Sequence, residues 1–318
     1  MPPSSLRRYL MAALGLICLL AMEATFSVAN AAPDGALSDE TISVGGRERR
    51  FLVHDFSGGR KAPVVILLHG GGGNPENAVN MTQFDVVAAR EHLIAVYPGG
   101  TGGLPGGRIL TWNAGHCCAY AMREKVDDVG FISAVIDRLV SAGKADPDRV
   151  YVTGMSNGGM MSHVLGRTLS GKVAAIAPVV GAVFGDEPPP PGPVAALVLV
   201  GADDHTVPGA GGALGGAAAR GTAPAEDRAV APAVAQAAYW AKANGCTGSD
   251  TKQEATSVRT VWRGCKGGKD VVMHVVANNG HAWPGGRPGR EGANPPTPDF
   301  NASEAIWAFF KSHPRGGR

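Results

Sequence analysis

Residues 151–159 read Tyr151-Val152-Thr153-Gly154-Met155-Ser156-Asn157-Gly158-Gly159. An aromatic and β-branched run suited to a strand ends at Gly154, and a helical pattern runs from Asn157 to Leu169. The pentapeptide Gly154 to Gly158 between them has the form G-x-S-x-G. A serine set between glycines at a strand-to-helix corner is the arrangement of a nucleophile elbow. The glycines leave room for a sharp turn, and the helix N-terminus favours negative charge near the serine. Ser156 is therefore the candidate nucleophile, and its partners should follow later strands.

Those strands alternate with helices. Val64 to Leu68 is a continuous apolar run, as expected of a strand buried on both faces. The spacing predicts a helix over Val79 to Glu91 and a strand over Leu93 to Tyr97. Asp127-Asp128 offers an N-cap, with Val129, Ile132, Val135, Ile136 and Leu139 at helical spacing and Gly143 as the stop. Further strands are expected at 150–153, 174–177, 196–200 and 271–276, and helices at 233–243 and 303–312. Residues 41–44 and 50–55 read as an opening hairpin across Gly45-Gly46. This alternation predicts an α/β fold with a mostly parallel central sheet and helices on both faces, the frame of an α/β-hydrolase.

A hydroxyl nucleophile needs a base, an orienting acid and donors for an oxyanion. In this fold the acid follows a late strand and the histidine comes last in the chain. Ala196 to Val200 leads to Gly201-Ala202-Asp203-Asp204, and spacing leaves both aspartates open. Val271 to Val276 leads through Asn278-Asn279-Gly280 to His281. Leu68-His69-Gly70-Gly71-Gly72-Gly73 follows the first core strand. It would supply one oxyanion donor at Gly71 or a neighbouring glycine, the other being the Asn157 N–H. The glycine loop lacks the Gly-Lys-Ser/Thr ending of a P-loop and the spacing of a dinucleotide fingerprint, so no cofactor is expected.

Bulk properties agree. The chain has 318 residues, 44% hydrophobic and 18% charged, ample for one large core. A formal charge of +2 argues against a nucleic-acid partner. Arg7 and Arg8, an apolar run from Leu10 to Met22, and Val28-Ala29-Asn30-Ala31 have the layout of a secretory signal over 1–31. Glu23 interrupts that run short of a membrane span. The expectation is a secreted, single-domain protein over 32–318 with no membrane partner. Cys117, Cys118, Cys246 and Cys265 then make an even set in an oxidising compartment. A Cys246–Cys265 bridge is favoured, Cys117–Cys118 could close an adjacent-residue bridge, and no second cluster gives His116-Cys117-Cys118 metal-site spacing. Pro188 to Pro191 and the Gly/Ala-rich stretch Gly209 to Gly221 read as surface loops.

Several stretches together resemble the polyhydroxybutyrate depolymerase-like esterases, a family that includes secreted feruloyl and acetylxylan esterases. They are Leu68-His69-Gly70, Trp112 to Gly115, Cys117-Cys118, Val126 to Phe131, Gly154 to Gly159, Asp204 to Pro208 and Gly280 to Gly285. The resemblance spans roughly residues 40 to 312. It implies a Ser156–His281–Asp204 triad working through an acyl-enzyme. The family acid motif, G-x-x-D-x-x-V-P, falls on Asp204 through Gly201, Val207 and Pro208. Two departures stand out. Asn278 and Asn279 occupy positions where the family usually has glycine, and no separate substrate-binding domain is visible. The implied substrate is a polymeric or oligomeric ester, with Trp112 and Trp283 bordering the site. Arg287, with Arg290, Arg108 and Arg123, would suit an anionic chain instead, as cut by the similar poly(aspartic acid) hydrolases. A non-catalytic exported binding protein would be expected to lack a triad member.

Overall fold

The computed structural model describes residues 35–104, 109–216, 229–289 and 291–316. The expected signal over 1–31, Arg108, Arg290 and the part of the Gly/Ala stretch beyond residue 216 lie outside them. The fold is a ten-stranded sheet in the order β1-β2-β4-β3-β5-β6-β7-β10-β9-β8. The strands are β1 (Ala36–Val44), β2 (Arg47–Asp55), β3 (Ala62–Leu68), β4 (Ile94–Pro98), β5 (Ala145–Met155), β6 (Ala175–Val179), β7 (Ala195–Gly201), β8 (Gly248–Gln253), β9 (Ser257–Arg263) and β10 (Val271–Val276). From β4 to β10 each neighbouring pair is parallel, and antiparallel pairs finish both edges.

The apolar runs are long because two cores need them. Val64, Ile66 and Leu68 of β3 belong to one core, Val65 and Leu67 to the other, so every residue of the strand is buried. β7 is buried throughout in the same way. Helices α3 (Ala119–Arg123), α4 (Asp128–Ser141), α5 (Asn157–Thr168), α6 (Ala233–Ala243) and α7 (Ala302–Lys311) follow in order. The expected face of α4 is buried at Phe131, Ile132, Val135, Ile136 and Leu139, and Asp127 caps it through Gly130 N at 2.7 Å.

One expectation is corrected, and two elements have no counterpart in the sequence reading. The single helix over 79–91 is two, α1 (Pro75–Thr82) and α2 (Phe84–Glu91), broken at Gln83 with φ 52°. The Thr82 hydroxyl ends α1 by donating to Ala78 O, and it accepts from Phe84 N, which turns Phe84 into the core. Secondly, residues 248–263 form an antiparallel hairpin, β8–β9. Strand β8, Gly-Ser-Asp-Thr-Lys-Gln, is exposed at every position, so no face imposed an apolar alternation. Lastly, the short helix α3 has no signal in the sequence pattern. The cysteines pair as Cys117–Cys118 and Cys246–Cys265.

Three buried histidines tie stability to pH. Burial holds His69 and His274 down at about 4 and His163 at about 3, against an ordinary 6.5. The unfolded chain takes up their protons near pH 6.5, while the folded chain does so only near 3–4. Their contribution is therefore complete above pH 6.5 and falls as pH drops through that window, by about 1.4 kcal/mol per pH unit for each proton. Urea unfolding at pH 7.5 and pH 5 should show a clear loss of stability at the lower pH. Equal midpoints would contradict this reading.

Candidate active site

Ser156 ends β5 and begins α5, with φ 55° and ψ −119°. A residue with a Cβ rarely adopts that conformation, which carries a strain of about 1–3 kcal/mol. Hydrogen bonds hold it there: Ser156 N donates to Val179 O at 2.9 Å, and its carbonyl accepts from Met160 N at 2.8 Å. The neighbouring glycines are required by close approach, not by positive φ. A Cβ on Gly158 would lie 2.5 Å from Leu68 O and 2.6 Å from His69 O, and one on Gly154 would lie 2.6 Å from Gly158 O. Helix α5 is thereby pressed against the end of β3.

His281, on the loop after β10, reaches Ser156 Oγ with Nε2 at 2.8 Å. Its Nδ1 lies 2.8 Å from Asp204 Oδ2. The other Asp204 oxygen accepts from Thr206 N and Val207 N at 2.8 and 2.9 Å, and the carboxylate is fully buried. A carboxylate so placed takes Nδ1–H as a donor, which leaves the Nε2 lone pair facing the serine hydroxyl. Asp203 is exposed, and its N–H donates to Asn279 O at 3.0 Å. The structure thus brings Ser156, His281 and Asp204 together and leaves Asp203 out.

The glycine loop lies against the elbow. A Cβ on Gly70 would stand 3.7 Å from Ser156 Cβ, and one on Gly71 3.6 Å from Asn157 Cβ. As the first residue of α5, Asn157 has a backbone N–H without an intrahelical acceptor. Its side chain clasps the next segment, accepting from Trp112 N at 2.7 Å and donating to Trp112 O at 3.1 Å. The buried His69 ring braces the loop from beneath. Nε2 accepts from Gly100 N at 3.0 Å, so Nδ1 is the protonated nitrogen and donates to Gly70 O at 2.8 Å.

The expected aromatic border is corrected. Trp112 is wholly buried and donates its indole N–H to His69 O at 3.0 Å. Trp283 is 1% exposed and donates to Ser303 Oγ at 3.1 Å. Neither ring presents a face to a ligand; both anchor loops that carry site residues. Arg287 is exposed beside α1, its N–H on Met81 O and its guanidinium on Asn80.

Two supporting residues escape a reading of the sequence alone. Asn279 is fully buried, donates to Gly280 O and Ala282 O at 2.9 and 3.1 Å, and accepts from Thr297 N at 3.2 Å. It brackets His281 on both sides and explains the departure from glycine at this position. Asn294 Oδ1 accepts from His281 N at 3.2 Å. The signal for Asn279 is the departure itself; Asn294 has none. A buried ion pair lies under the neighbouring segment. Arg49 meets Asp128 at 2.6 Å, and Asp128 also accepts from Asn113 N at 2.7 Å.

The sequence pattern of the esterase PHB depolymerase family matches residues 55–196. A feruloyl esterase B of Piromyces equi is 30% identical over 241 residues, which cover 74% of this chain and 42% of that protein. The bifunctional acetylxylan esterase/xylanase XynS20E of Neocallimastix patriciarum is 31% identical over 126 residues, 39% of this chain and 16% of that protein. The chain thus spans less than half the length of either relative. Among solved structures, an acetyl xylan esterase from Aspergillus awamori superposes with a TM-score of 0.58 at 14% identity, covering 87% of this chain and 99% of its own. That likeness is one of fold.

Proposed function

We propose that this chain, similar over residues 55–196 to the esterase PHB depolymerase family, is a secreted serine hydrolase cleaving ester bonds of an oligomer or polymer through an acyl-enzyme. The observation that carries this reading is the continuous chain of contacts Ser156 Oγ–His281–Asp204, each link 2.8 Å long. Ser156 Oγ attacks the ester carbonyl carbon as its proton passes to His281 Nε2. Asp204 stabilises the resulting imidazolium. The N–H groups of Asn157 and Gly71 receive the oxyanion. His281 then returns the proton to the departing alkoxide, leaving the acyl group on Ser156. A water, deprotonated by the same nitrogen, releases the acid and restores the hydroxyl.

Among substrates, the cell-wall esters are favoured by the relatives, a feruloyl esterase and an acetylxylan esterase. The anionic-polyamide reading rests on arginines near His281. Arg287 engages Asn80 of α1 instead, which gives that reading no support from geometry.

The test is fluorophosphonate labelling, followed by turnover of methyl ferulate, acetylated xylan, hydroxybutyrate oligomers and poly(aspartic acid). Labelling at Ser156 with turnover of any ester supports the reading. A folded protein that neither labels nor hydrolyses would leave a binding protein as the alternative. The support from Asn294 can be examined alongside. Asn294→Ala removes the acceptor for His281 N and should lower kcat roughly tenfold by misplacing the ring, with KM little changed. Asn294→Asp keeps an acceptor and should retain most of kcat. Equal kcat in all three proteins would remove Asn294 from this role.

A further inference from the structure

The outer edge of the sheet carries an electrostatic imbalance. In the register of β8 on β9, Lys252 lies directly opposite Arg259. Like charges directly across a strand pair repel. Neither Lys252 nor Arg259 has an ion-pair partner among the described residues, and Asp250, on the same face two residues away, has none either. Asp250 instead stands opposite the apolar Val261. The other edge differs: in β1, Asp39 pairs with Arg50 and Glu40 with Arg138.

β8 is also open as a strand. All six residues are exposed, none is proline, and among the described residues no further strand lies beyond it in the sheet order. Such an edge presents unpaired backbone donors and acceptors to another strand. Proteins usually protect an edge with charge, and here the charges are complementary under a two-fold axis. If two copies of β8 run antiparallel with Thr251 opposite Thr251, Asp250 of each copy falls opposite Lys252 of the other. Ser249 falls opposite Gln253. The arrangement is isologous and closes on itself.

We propose that β8 is a self-association edge, joining two copies of this chain antiparallel about Thr251 into one continuous sheet. Each Asp250 then stands directly opposite its partner's Lys252, with Arg259 next across the strand pair. The row across the seam reads carboxylate, lysine, arginine, which offsets the repulsion left within a single chain. The contact is narrow and largely polar, so the association is reversible, salt-sensitive and at the weak end of specific interfaces.

Charge reversal tests this by sedimentation velocity from about 1 to 100 µM, a range that brackets a micromolar dissociation constant. The wild type should shift from monomer toward dimer with concentration. Lys252→Asp places carboxylates opposite carboxylates at the seam and should weaken association at least tenfold. Within one chain the same substitution sets a carboxylate beside Arg259, so folding is not penalised, and an unchanged or raised Tm serves as the control. The double variant Asp250→Lys/Lys252→Asp restores complementarity and should recover association to within a few-fold of the wild type. A wild type that stays monomeric across the range would overturn the proposal. So would a dimer indifferent to Lys252→Asp, or one the double variant fails to restore.

Discussion

Replacing Ser156 by alanine should lower kcat on the order of 10⁶-fold, the loss seen when a triad nucleophile is removed. A residual acceleration from the oxyanion donors and substrate binding should remain. Steady-state hydrolysis of a soluble ester, with labelling as a second readout, measures it. The stability of this variant informs as much as its rate. Position 156 holds φ 55° whatever side chain it carries, because its N–H and C=O are pinned to Val179 and Met160. Alanine there keeps the strain; glycine removes it. Ser156→Gly should therefore be as inactive as Ser156→Ala yet more stable than it by about 1 kcal/mol or more. An active alanine variant would end the proposed mechanism. A glycine variant no more stable than alanine would end the claim of strain.

The largest loss of stability is expected from Arg49→Ala. Arg49 is 4% exposed, its guanidinium meets Asp128 and Gly99 O, and it lies 4.2 Å above the Phe131 ring. Removing it strands the Asp128 carboxylate in the interior, at a cost of about 3–5 kcal/mol. Burial, partly offset by Arg49, already raises the Asp128 pKa. Without the guanidinium it rises further, so the folded variant gains protons more readily than the unfolded chain does. Relative to the wild type, part of the stability lost at pH 7.5 should thus be regained on acidification. Denaturant unfolding of both proteins at pH 7.5 and pH 6 measures this. A difference between them that does not shrink at the lower pH would contradict the assignment.

Much of the frame is legible because two-sided burial writes long apolar runs, as in β3 and β7, and because the elbow combines glycines with a strand–helix boundary. Order along the chain points to Asp203 or Asp204 and to His281. It cannot choose the aspartate, since the choice depends on which side chain turns inward to meet Thr206 N and Val207 N. β8 is invisible for the opposite reason: with neither face buried, nothing distinguishes its residues from those of a loop. The break at Gln83 has no glycine or proline to announce it. Nearness to site motifs suggests a place at the rim for Trp112 and Trp283, but a large ring beside a site residue is as useful for bracing it. The Arg49–Asp128 pair joins positions 79 apart, which no local pattern encodes.

The position of β10 has a consequence for how this protein comes into being. His281 follows β10, which inserts between β7 and β9, and the histidine meets a serine 125 residues earlier in the chain. Contacts of such long range close late, after the local and intermediate pairings that make them affordable. Strands β3 to β7 can assemble around the elbow while Ser156 still lacks its base. On the proposed mechanism, a chain emerging from synthesis would carry a bent serine without its histidine, and hydrolysis would become possible only with the last strand of the sheet.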